Sequence, residues 1–110
     1  MVARLAAGIW VGALMRRVHG AGGFATIVRK GDEGAGSVLL LLRARDGSQR
    51  VLSRVLRGEG YAWMTAAEAD ADSPQVIDSF LNKQSSYDPD LWIVELDIAV
   101  PERFIDEPIL

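Results

Sequence analysis

A chain of 110 residues, 49% hydrophobic and 25% charged, is sized for one compact domain with a single core, and its net charge is −3. It contains no cysteine, which excludes disulfides, thiolate zinc sites and cysteine nucleophiles together. The charge is unevenly spread: residues 1–57 hold ten cations against three acids, whereas residues 58–110 hold two cations against twelve acids.

The first element lies in an apolar run, LAAGIWVGALM at 5–15, flanked by Arg4 and by Arg16-Arg17. Eleven residues are too few to cross a hydrocarbon core, which takes about 20 in a helix. Arginines also stand where a signal peptide needs small residues, so the reading is of a cytoplasmic protein without membrane contact. Within 8–20, Val11, Leu14, Met15 and Val18 fall at i, i+3, i+4 and i+7, the stripe of an amphipathic helix with Trp10 beside it. Gly20-Ala21-Gly22-Gly23 ends that helix.

FATIVRK at 24–30 and SVLLLLRAR at 37–45 are predicted strands, the second with four consecutive leucines that predict a central strand covered on both faces. Asp46-Gly47 predicts a hairpin into RVLSRVLR at 50–57, and Gly58-Glu59-Gly60 a turn into YAWMTA at 61–66. These four strands are expected to form an antiparallel meander. After the acidic connection EADADS, Ser73-Pro74 predicts a helix start with a hydroxyl cap, and Val76, Ile77, Phe80 and Leu81 its buried stripe. Tyr87-Asp88-Pro89-Asp90 is a turn, LWIVELDI at 91–98 a fifth strand, and 101–110 a tail of loose order. The expected fold is a single α+β domain over 1–110, in the order α-β-β-β-β-α-β. About five strands form an antiparallel or mixed sheet with two helices packed on it, most simply as two layers.

Chemistry is sparsely marked. RKGDEGAG at 29–36 has glycines and a lysine, but a phosphate cradle needs G-x-x-x-x-G-K-[ST] opening a helix. Here Lys30 precedes the glycines, two carboxylates occupy the loop and a strand follows, so the expectation is a hairpin loop in which Gly31, Gly34 and Gly36 take positive φ. Asp32, Glu33, Asp88, Asp90 and Glu95 would supply oxygen ligands to a hard cation only if the two loops met, and no EF-hand spacing exists. His19 is the only histidine; no serine lies in a G-x-S-x-G elbow, and a histidine at a helix C-terminus reads as a dipole contact. No catalytic set, cofactor or metal is expected. Arg43, Arg45, Arg50, Arg54 and Arg57, followed by Tyr61 and Trp63, make an arginine-lined sheet for single-stranded nucleic acid the main rival reading, against an acidic pI of about 5.0.

Three stretches, GIWVGALMRR at 8–17, AGGFATIVRKGDEGAGSVLLLL at 21–42 and YDPDLWIVEL at 87–96, together resemble the small alphaproteobacterial proteins catalogued as domain of unknown function 1491. The resemblance implies a stand-alone cytosolic protein whose apolar N-terminal stretch belongs to the domain, and it carries no catalytic or binding role with it. The leading expectation is a non-enzymatic interaction or accessory protein that forms a homodimer and binds an unidentified protein partner. Its anchors would be Trp10, Trp63 and Trp92 together with Arg43, Arg45, Arg50 and Arg54, since tryptophan and arginine dominate interface energetics.

Overall fold

A computed structural model describes residues 6–110; Arg4 and Leu5, part of the N-terminal reading, lie outside the described residues. Helix α1 spans Ala7–Gly20 and helix α2 Pro74–Tyr87. The strands are β1 Phe24–Arg29, β2 Val38–Arg43, β3 Gln49–Arg57, β4 Gly60–Ala69 and β5 Trp92–Asp97. A 3-10 turn follows at Pro101–Phe104. Both helices and all five strands fall where their periodicity predicts, in the order α-β-β-β-β-α-β. Strand β4 runs longer than predicted, absorbing the first residues of the acidic connection.

The meander is where the structure departs from the sequence reading. The sheet order is β1-β5-β2-β3-β4, so the last strand is inserted between the first two. Strand β5 runs antiparallel to β1, with Ala25 opposite Leu96, and parallel to β2, with Leu40 opposite Val94. Only β2-β3-β4 is a meander. The physical reason is burial: β2 and β5 are the two strands apolar on both faces, and pairing them at the centre hides both faces of each.

The helices lie on opposite faces of this sheet, which makes three layers rather than two. One core joins Ala7, Val11, Leu14 and Val18 of α1 to Leu40, Trp63, Val94 and Leu96. The other joins Ile77 and Leu81 of α2 to Leu39, Leu41, Val51 and Ile93. The period-two alternation of β2 divides its side chains between the two cores. Each fully buried Val, Leu or Ile side chain stabilises the fold by about 1.5–3 kcal/mol, so the helical stripes hold α1 in place despite Gly8 and Gly12.

Turn chemistry follows the sequence in three places. Gly22 (φ 86°) closes α1, Gly47 (φ 88°) the β2–β3 hairpin and Gly58 (φ 63°) the β3–β4 turn. At α2, Pro74 takes the first helical position as expected, while Ser73 stands at the N-cap without a side-chain cap bond. Residues 101–110 cross the sheet end: Ile105 is buried, and Ile109 forms a parallel bridge with Trp63 on the outer edge of β4.

Candidate functional site

The 29–36 loop bridges two strands separated by β5, so it is a crossover and not a hairpin. Its glycines do not take positive φ; they make room. A Cβ on Gly36 would lie 2.8 Å from the Trp92 ring and 2.9 Å from the Asp32 carbonyl oxygen, and a Cβ on Gly31 would run into the Asp90 carbonyl. Asp32 organises the turn, its carboxylate accepting the N–H groups of Gly34 (3.1 Å) and Ala35 (2.9 Å). The Asp32 N–H donates to the Asp90 carbonyl (3.0 Å), and the Trp92 indole N–H donates to the Asp32 carbonyl (2.7 Å). Arg29 completes the junction by donating to the Pro89 carbonyl (2.9 Å).

The same loop caps a helix. The carbonyls of Gly34 and Glu33 accept the N–H groups of Ala7 (3.2 Å) and Gly8 (2.9 Å), two first-turn donors that have no partner inside α1. Here RKGDEGAG ties β5 to the start of α1. The 29–36 and 87–92 segments therefore do meet, but among the described residues no group of three or more metal-ligating side chains converges. A cleft of about 630 Å3 lies elsewhere, between the start of α2 and the 3-10 turn; its lining includes Arg43, Arg50, Glu68, Asp70, Ser73 and Glu102. Both charge signs line it, and none of its residues comes from 29–36 or 87–95.

The predicted interaction residues do not form one surface. Trp63 is fully buried and Trp92 is 3% exposed, so neither anchors a partner in this conformation. Each is in the core because its indole N–H has a partner there: Glu107 for Trp63 (2.8 Å) and the Asp32 carbonyl for Trp92. Trp10 is half-buried with its ring 5.6 Å from that of Trp63. Arg54 lies over Tyr61 (4.3 Å), Trp10 (5.4 Å) and Trp63 (5.9 Å), cation–π contacts that hold the guanidinium on the α1 side of the sheet.

Arg50 pairs with Glu102 (3.0 Å) and Arg43 with Glu95 (3.1 Å). Alternation along β2 and β3 sets Arg43 on the α2 side and Arg50 and Arg54 on the α1 side, and Arg45 is exposed in the hairpin. The arginine-lined face is thus divided. Three of the four ion pairs among the described residues, Arg17–Asp106 included, join a cation of the first half to an acid of the second, so the charge asymmetry is partly settled within the fold. Exposed pairs of this kind are worth about 0–1 kcal/mol each.

The surface that sequence reasoning missed is β1. It is an edge strand with Phe24 70%, Val28 53% and Ile27 40% exposed. Its register slips between Ile27 and Arg29, a bulge that leaves Val28 unpaired. His19, in the last turn of α1, reaches this free edge, its Nε2 3.2 Å from the Ala25 N and 3.1 Å from the Ala25 carbonyl oxygen. The run FATIV carried the signal, since five residues with only Thr26 polar exceed what an edge strand buries on its inner face. Among the described residues no helix is long and apolar enough to cross a membrane.

Comparison with known proteins agrees on the fold across nearly all of the chain. A DUF1491 family protein from Caulobacter crescentus CB15, solved by crystallography, is 37% identical with a TM-score of 0.83 over 97% of this chain and 100% of its own. The NMR structure of a DUF1491 family protein from the same organism is 36% identical, with a TM-score of 0.82 over 99% of each chain. A protein from A. tumefaciens is 28% identical, with a TM-score of 0.77 over 98% of this chain and 100% of its own. No curated protein matches. The family described as "Protein of unknown function (DUF1491)" matches residues 5–106, and the chain belongs to that family.

Proposed function

We propose that this is a non-enzymatic, cytosolic protein-interaction protein whose docking surface is the free edge of β1. The observation that carries the reading is the exposure of Phe24, Ile27 and Val28 on an edge strand with main-chain groups open to solvent beyond Ala25. Apolar side chains beside unpaired N–H and C=O groups suit strand addition, in which main-chain bonds give affinity and alternate side chains give specificity. The non-enzymatic reading draws support from the ion pairs and ring stacking that occupy Arg43, Arg50 and Arg54.

The test is site-specific photo-crosslinking in the native host, with the probe at Phe24 and, as control, at exposed Lys83 of α2. Crosslinks to protein concentrated at position 24, and lost when Val28→Lys blocks the edge, support the reading. Equal yields at the two positions refute it. Native mass spectrometry of protein from the same cells adds a second check, because a retained nucleotide or metal mass would overturn the non-enzymatic assignment.

A further inference from the structure

The opposite edge of the sheet is covered at Trp63, and by the chain itself. The Trp63 N–H donates to the Pro108 carbonyl (2.8 Å) and the Leu110 N–H to the Trp63 carbonyl (2.7 Å). The Trp63 indole N–H binds Glu107 (2.8 Å), Arg17 pairs with Asp106 (3.1 Å), and Ile105 is 7% exposed. This arm, residues 101–110, hangs on three residues after β5, and its hinge is Val100 at φ 50° and ψ 63°.

Among the described residues, Val100 is the only non-glycine with positive φ. It is the wrong residue for that conformation twice over. A β-branched side chain is a genuine outlier in the left-handed region, and a residue before proline, here Pro101, prefers extended backbone. When Val100 takes the extended form its sequence prefers, the arm is directed away from its own β4. The vacated edge then fits one segment without alteration: the same arm of another copy.

We propose that residues 101–110 are an exchangeable arm, and that in a homodimer each copy's arm lies along β4 of the other with Val100 extended. Every contact of the arm is kept in the exchange, so the balance between closed monomer and dimer rests on hinge strain against the entropy of association. Strained hinges are a recognised route to such swapping. The site lies at the other edge from β1 and does not depend on the reading given to β1.

The experiment refolds the full chain from denaturant at millimolar concentration, using an equal mixture of isotope-labelled and unlabelled protein. Native mass spectrometry counts subunits, and filtered NOE spectra ask whether Trp63 and Ile109 contacts run between chains. A dimer with interchain Trp63–Ile109 contacts is expected. Val100→Gly, which accepts φ 50° freely, should weaken that dimer roughly tenfold or more, while Val100→Ile should match the parent. A monomer under all conditions overturns the proposal, as does a dimer whose Trp63–Ile109 contacts stay within each chain. Equal dimerisation of the glycine and isoleucine variants overturns it too, because the hinge then has no part in it.

Discussion

Gly36→Ala isolates the junction between the 29–36 loop and β5. The added Cβ would sit 2.8 Å from the Trp92 ring and 2.9 Å from the Asp32 carbonyl oxygen, and still closer to the Asp90 carbonyl. Neither backbone group can swing aside as a flexible side chain would. Overpacking of this kind costs about 1–3 kcal/mol. Moving the loop also weakens the Asp32–Asp90 bond (3.0 Å) and the Trp92–Asp32 bond (2.7 Å), at about 1 kcal/mol each. Alanine returns about 0.4–1 kcal/mol by restricting the unfolded chain. The net loss is about 2–5 kcal/mol. With an unfolding entropy near 2.1 cal/mol/K per residue, this lowers Tm by roughly 9–22 °C for a chain of 110 residues. Urea denaturation should show a lower midpoint with an unchanged slope. Gly34→Ala is the control, because its nearest neighbour is the Asp32 carboxylate at 3.6 Å; with no clash to offset the same unfolded-chain effect, it should be neutral to about 1 kcal/mol more stable. Equal stability of the two variants would refute the argument from close approach.

Other expectations concern the arm, the β1 edge and the hairpin. Ile105→Ala should cost about 2–4 kcal/mol in urea unfolding, as a core residue does, whereas Leu110→Ala, at a side chain 55% exposed, should stay within about 0.5 kcal/mol. His19→Ala should speed hydrogen exchange at the Ala25 amide more than at its strand neighbours, because the imidazole stands 3.2 Å from that nitrogen. The Ser48 hydroxyl and N–H both donate to the Asp46 carboxylate and hold its pKa below the ordinary value. A depressed folded-state pKa adds stability above the unfolded value and loses it as pH falls through the folded one. NMR titration of Ser48→Ala should therefore find the Asp46 pKa raised toward the ordinary carboxylate range.

Local structure was legible because it is written in period and punctuation. Val11, Leu14 and Val18 announce a helix face, and Gly47 and Gly58 mark turns that the chain does make. Strand order was not legible from local pattern, since nothing within 24–45 says that another strand will pass between. The signal lay at a distance: VLLLL and LWIVEL are the two runs apolar on both faces, and two such strands bury most when paired with each other. The same gap misplaced the glycines of the 29–36 loop, whose role is set by the Asp90 carbonyl and the Trp92 ring. Trp63 and Trp92 read as interface anchors because their partners, Glu107 and the Asp32 carbonyl, lie 44 and 60 residues away in sequence. The candidate surface at β1 was readable in composition, but only the sheet order makes it an edge.

The central place of β5 has a consequence for how the protein is made. On a ribosome, the helix and four strands emerge long before Trp92–Asp97 leaves the exit tunnel. Until then the nascent chain has no partner for β1 and an open flank on β2, its most apolar strand. Three neighbouring strands can settle early as local hairpins, whereas β1 must wait for Trp92–Asp97. Such non-local closure is slow, and it leaves apolar strand edges bare until β5 arrives.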